Sequence, residues 1–181
     1  MKLIFLDIDG TLTPPGEDTP PESAVKAIRR ARNKGHKIFL CTGRNPDMLK
    51  PLLQYGFDGF ISYAGGHTAA GIRSESEKGL QSEDPALMMQ ELKGQGDVAN
   101  GRPFSSGKGK GIELICQKFG VAREDTIAFG DSVNDVEMMR AVGTGVCMGN
   151  GAKALQDLAD VVCPPVNENG LMWAFAKLHL M

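Results

Sequence analysis

The chain has 181 residues, 41% of them hydrophobic, which fits one domain with a substantial core and is too many for a disordered chain. Lys plus Arg number 20 against 22 Asp plus Glu, and the resulting net charge of −2 argues against a nucleic-acid partner or a membrane-surface binder. No apolar run reaches the length of a membrane span, and Asp7 and Asp9 interrupt the first apolar stretch too early for a signal peptide, so the sequence predicts a soluble, cytoplasmic protein.

"KLIFLD" reads as a buried strand. "TPPESAVKAIRRARNKG" reads as a helix, with Thr19 and Glu22 at capping-box spacing, Pro20 at the first helical position, and Ala24, Ile28 and Ala31 on one face. "HKIFLCT" is a second strand, "NPDMLKPLLQYG" a short helix bent or restarted at Pro51, and "FDGFISY" a third strand. From Ala64 to Gly107 the chain is rich in Gly, Ser and charge, and only "EDPALMMQELKG" looks helical there. Alternation then resumes. "GKGIELICQKFG" is a helix with Ile112, Ile115 and Phe119 on one face, "TIAFGD" a strand, and "SVNDVEMMRAVG" a helix opening on a second capping box, Ser132 with Asp135. "TGVCMG" and "DVVCPP" are strands, "AKALQDLA" and "ENGLMWAFAKLHL" helices. The four cysteines, Cys41, Cys116, Cys147 and Cys163, show no C-x-x-C pair and read as free thiols, three of them in apolar strand-like runs.

Continuous apolar strands alternating with amphipathic helices predict an α/β fold, a parallel sheet covered on both faces. Right-handed crossovers put the first three strands on one side, and after the irregular insert the chain most simply returns to the other side of the first strand. That reversal makes a topological switch point between "KLIFLD" and "TIAFGD", and ligands bind at the carboxyl ends of strands flanking such a switch. Asp7 and Asp131 end those two strands, Thr42 ends the second strand on the same rim, and Lys108 starts the helix that leads to Asp131. Several carboxylates (Asp7, Asp9, Asp131) in a small volume call for a cation, and an all-oxygen donor set suits Mg²⁺. Lys108 and the loop amides after the first strand suit a phosphate, and a carboxylate nucleophile with a second carboxyl two residues on suits covalent phosphoryl transfer.

"DIDGTLT", "CTGR", "GKGKG" and "GDSVND" resemble, in order, the four motifs of the haloacid dehalogenase (HAD) superfamily of phosphatases, and "TIAFGDSVNDVEMMRAVGTGVCMGN" is similar to the Cof-type, subfamily IIB-like branch. The resemblance implies a three-layer α/β/α Rossmann-like core over residues 1–63 and 105–181, with 64–104 a short residual cap insert reduced to a loop or short helix. It implies a Mg²⁺-dependent phosphatase acting on phosphate monoesters of small molecules, sugar phosphates or related metabolites. Asp7 is then the nucleophile that forms an aspartyl-phosphate, and Asp9 the general acid and base. Thr42 and Lys108 bind the phosphoryl oxygens, Gly43 and Arg44 lie beside the phosphate pocket, and Asn134 is placed on the substrate side. The metal set is Asp7, Asp9 through its backbone carbonyl, and Asp131, with Asp135 supporting it.

Other readings stand beside these. Asp7 and Asp9 could be a strand end followed by an Asx-turn, Lys110 is the alternative to Lys108, and Asp135 also fits a helix cap. A phosphosugar mutase or phosphotransferase would share Asp7 and Asp9, and a non-catalytic phosphate-ligand binding protein would keep the fold without turnover. The insert is far shorter than the cap usual in the Cof-type branch. This predicts either an open site that accepts large or varied esters, or a homo-oligomer in which a neighbouring subunit acts as lid.

Overall fold

The computed structural model describes residues 1–62, 67–70, 90–91 and 107–181. Eight strands form one sheet: β1 (Leu3–Leu6), β2 (Lys37–Cys41), β3 (Gly59–Ser62), β4 (His67–Ala70), β5 (Gln90–Glu91), β6 (Thr126–Gly130), β7 (Thr144–Cys147) and β8 (Val161–Val162). Their spatial order is β5-β4-β3-β2-β1-β6-β7-β8. The six strands from β3 to β8 across the centre are parallel, and β4 and β5 add an antiparallel edge beyond β3. The helices are α1 (Glu22–Asn33), α2 (Lys50–Leu53), α3 (Lys108–Phe119), α4 (Val136–Ala141), α5 (Lys153–Gln156) and α6 (Gly170–Lys177).

The apolar run at the N-terminus is buried because both faces of β1 are covered. Ile4 and Leu6 pack into one core with Ala24, Ala27, Ile28 and Ala31 of α1 and with Leu171, Ala174 and Phe175 of α6. Leu3 and Phe5 point the other way, into a second core with Ile112 and Ile115 of α3, Met138 and Met139 of α4, and Leu155 of α5. Strand side chains alternate, so the residue after Leu6 continues the Leu3–Phe5 side and faces the α3 and α4 layer. Register fixes its height: Leu6 lies opposite Leu40 of β2 and Phe129 of β6, and the Asp7 amide donates to the Phe129 carbonyl at 3.0 Å.

The switch point falls between β1 and β6, as the crossover argument predicts. The second capping box is formed, with Ser132 and Asp135 exchanging side-chain and backbone bonds. The helix near Pro51 is restarted: a 3₁₀ turn over Pro46–Leu49 leads into α2. All four cysteines are free, Cys41, Cys147 and Cys163 being buried.

Two expectations are corrected. The Thr19–Glu22 capping box is absent, because α1 starts at Glu22 with Pro21 at the cap position and no side-chain cap bond. Pro21 disfavours the helical region for Pro20, so the helix does not open at Pro20 as a Thr19 cap would require. Glu22 instead pairs with Lys26 one turn on, at 2.7 Å. The stretch read as irregular also supplies strands: β4 pairs antiparallel with β3, and Gln90–Glu91, inside the segment that looked helical, pairs with β4. The rest of that segment lies outside the described residues.

Candidate active site

Three strand ends and one helix start meet at the carboxyl edge of the sheet. Asp7 follows β1, Thr42 follows β2, Asp131 follows β6, and Lys108 is the first residue of α3. Gly107 caps α3 in an extended conformation and Gly120 closes it in the left-handed conformation. Gly111 lets α3 approach the sheet, since a Cβ there would lie 2.7 Å from the Ile61 side chain. This close packing carries Lys108 over the end of β1.

Lys108 is buried, and its Nζ donates to Asp7 Oδ1 and to Asp135 Oδ1, both at 2.6 Å. Lys110 points elsewhere, pairing with Glu113 at 3.1 Å on the surface. Asp135 is fully buried. Its Oδ2 accepts from the Asp131 amide at 3.0 Å, the Ser132 amide at 3.0 Å and the Ser132 hydroxyl at 3.3 Å. Asp135 therefore braces the turn that carries Asp131 while holding Lys108. Asp131 accepts from the Thr11 hydroxyl at 3.2 Å.

The electrostatics follow from this crowding. Burial pushes the Asp7 carboxyl up to about 7, opposed by the Lys108 ammonium and reinforced by Asp135 and Asp131. Burial, then the Asp135 charge, lifts Asp131 to about 6. Burial also works against the charge on Lys108, but Asp7, Cys41 and Asp135 outweigh it and hold that ammonium above the ordinary lysine value. Asp7, Asp131 and Asp135 bring one carboxylate oxygen each within 4.8 Å of one another. An all-oxygen cluster in which the Asp7 and Asp131 carboxyls are pushed up suits a hard divalent cation, which would relieve the repulsion one lysine leaves.

A cavity of about 830 Å³ opens beside this cluster, lined among others by Asp7, Asp9, Thr42, Gly43, Arg44, Lys108 and Asn134. Thr42 is buried, its amide donating to the Ile61 carbonyl at 2.8 Å and its hydroxyl accepting from the Arg44 amide at 3.1 Å. Asn134 is an exposed part of the lining. Asp9 faces the cavity and is gripped by Arg44, whose Nε and one terminal nitrogen reach its two oxygens at 3.0 and 2.5 Å. The sequence-predicted residues are thus brought together, Asp131 and Asp135 behind the cavity and the others on its wall.

Three participants were missed. Glu137, in the first turn of α4, lines the cavity, and its carboxylate lies 2.1 Å from where a Cβ at Gly107 would be. Val133 lines it as an exposed apolar residue. Asp18 holds the far side of Arg44 at 3.1 Å. The capping-box spacing located the turn carrying Val133, but no local pattern marks Asp18.

The profile of the haloacid dehalogenase-like hydrolases matches residues 4–100 and 103–175. YkrA of Bacillus subtilis is 28% identical over 254 aligned positions, covering 99% of this chain and 98% of that one. Phosphoglycolate phosphatase 1 of Saccharolobus solfataricus is 27% identical over 218 positions, covering 98% and 96%. Among solved structures, a hypothetical protein from Geobacillus kaustophilus HTA426 superposes with TM-score 0.78 at 24% identity, covering 99% of each chain. The HAD subclass IIB sugar phosphatase BT4131 superposes with TM-score 0.77 at 22% identity, covering 100% of each. The matched profile and the strand-end cluster agree: the chain is an enzyme of the haloacid dehalogenase-like hydrolase family.

Proposed function

We propose that the chain is a Mg²⁺-dependent phosphatase that hydrolyses phosphate monoesters of small metabolites, sugar phosphates or related compounds, through an aspartyl-phosphate on Asp7. The observation that carries this reading is the buried Lys108 bridging Asp7 and Asp135 at 2.6 Å, beside Asp131, at the switch point of the sheet. Relatives named as phosphoglycolate phosphatases from Saccharolobus solfataricus and Methanopyrus kandleri support the reaction class.

In this reading an oxygen of Asp7 attacks phosphorus. Lys108 and Thr42, with the amides beside Gly43, hold the phosphoryl oxygens. Asp9 gives a proton to the leaving oxygen and then takes one from the water that hydrolyses the intermediate. Mg²⁺ would be held by Asp7, Asp131 and the Asp9 carbonyl, with Asp135 behind them, and when bound supplies positive charge opposite the phosphoryl group. Asn134, exposed in the cavity lining, contacts the substrate in this reading. Asp9 is half-exposed, which favours hydrolysis over transfer to a second substrate, since transfer needs water excluded.

Residues 1–63 and 105–181 form the core in this proposal, and 64–104 a residual cap insert whose His67–Ala70 and Gln90–Glu91 extend the core sheet. The alignment with YkrA runs over 254 positions against 181 residues here, so that relative carries residues this chain lacks. Phosphate release from a panel containing phosphoglycolate and hexose phosphates tests the reading. Turnover that needs magnesium and stops with EDTA is expected, and turnover indifferent to EDTA contradicts the metal assignment.

A further inference from the structure

Arg44 makes contacts that a phosphate-binding arginine does not need. Its Nε donates to Asp9 Oδ2 at 3.0 Å and one terminal nitrogen to Asp9 Oδ1 at 2.5 Å, so the flat guanidinium meets the carboxylate edge to edge. The other terminal nitrogen donates to Asp18 Oδ1 at 3.1 Å. The Arg44 side chain is only 15% exposed, and its amide is tied to the Thr42 hydroxyl at 3.1 Å, which anchors it to the end of β2. Among the described residues the Asp9 side chain has no other hydrogen-bond partner. Two carboxylates therefore engage the guanidinium, and the cation aimed at Asp7 is Lys108.

We propose that Arg44 is a positioning residue for Asp9, and that Asp18 fixes Arg44 in turn. The proposal rests on the phosphatase reading. When the Asp7 oxygen bonds to phosphorus, the phosphorus–ester bond breaks and its electron pair passes to the leaving oxygen, which takes the proton from Asp9. Arg44 directs the Asp9 carboxyl toward that oxygen and faces the carboxylate left behind. Asp18 keeps the guanidinium from swinging into the phosphoryl site. A lysine at position 44 would keep the charge but lose the paired contact.

The experiment measures inorganic phosphate binding by calorimetry in magnesium buffer, together with kcat on an alkyl phosphate and on 4-nitrophenyl phosphate. In Arg44→Ala, phosphate affinity is expected within about twofold of wild type. The same variant should lower kcat on the alkyl ester about 10²-fold but on the aryl ester by less than about tenfold, because nitrophenolate leaves without a proton. Arg44→Lys should recover part of the loss, Asp18→Asn should show the same pattern more weakly, and Arg44→Ala should cost nothing further in an Asp9→Asn background. Phosphate affinity weakened about tenfold or more, or an undiminished loss in the Asp9→Asn background, overturns the proposal and makes Arg44 a phosphate ligand or a structural residue. Should Asp7→Asn keep full turnover, the phosphatase mechanism falls, while the phosphate titration still decides what Arg44 does.

Discussion

Lys108 Nζ lies 2.6 Å from Asp7 Oδ1, although the two residues stand 101 positions apart in the chain. The same ammonium reaches Asp135 at 2.6 Å. One cation thus compensates two buried carboxylates that fold together from three separate segments, the ends of β1 and β6 and the start of α3.

Removing that cation should be costly. Lys108→Ala leaves Asp7 and Asp135 buried without their partner, and breaking a buried charge pair costs about 3–5 kcal/mol. Urea denaturation of the metal-free protein at neutral pH should show a loss of that order. A loss below about 1 kcal/mol would mean that the bridge contributes little.

The raised carboxylates make metal-free stability depend on pH. Asp7 at about 7 and Asp131 at about 6 both lie above the ordinary value of 3.8. The folded state therefore holds more protons than the unfolded chain between about pH 4 and pH 7, and stability falls as pH rises through that window. Melting temperatures measured in EDTA should decline from pH 4.5 to 7.5. Magnesium should stabilise the protein more at pH 7.5 than at pH 5, because protons compete for the same oxygens. A magnesium effect independent of pH contradicts the assignment of Asp7 and Asp131 as its ligands.

Asp135 combines a helix cap with the brace behind Asp131. Asp135→Ala strands the Asp131 and Ser132 amides without their acceptor and leaves the Lys108 ammonium with Asp7 alone. Each unsatisfied buried donor costs about 1–3 kcal/mol, so this variant should lose stability on the same order as Lys108→Ala and should lose its response to magnesium. Thermal melting with and without the ion reads both effects.

Gly10 has φ +85°, and a Cβ there would lie 2.3 Å from Asp131 Oδ2. Gly10→Ala brings backbone strain of about 1–3 kcal/mol and pushes Asp131 out of place. The variant is expected to fold with a lower melting temperature and a magnesium shift reduced at least by half. An unchanged shift would show that the Asp131 position is not critical for the ion.

Much of this site was legible because strand ends and crossover rules are topological. Asp7, Thr42 and Asp131 each follow a continuous apolar run, and the order of those runs decides which edges meet. Lys108 could be placed at a helix start and preferred over Lys110 only by resemblance, since which lysine faces the sheet is a matter of helix rotation, seen in the pairing of Lys108 with Asp7 and of Lys110 with Glu113. The grip of Arg44 on Asp9 and Asp18 depends on the path of two loops, and sequence spacing carries no such direction. The segment around Gln90–Glu91 misled because Leu, Met and Glu favour helix locally, while pairing with β4 is a long-range choice. Thr19 failed as a cap because the capping-box pattern ignores what a proline pair does to its first member.

The central claim is that Asp7 is the nucleophile of a phosphomonoesterase. The direct measurement is phosphate release from a panel of phosphorylated metabolites with magnesium, wild type beside Asp7→Asn. Wild type is expected to release phosphate from at least one ester, and Asp7→Asn to be slower by about 10⁴-fold or more. Equal rates for the two proteins, or no release by wild type from any ester, would contradict it.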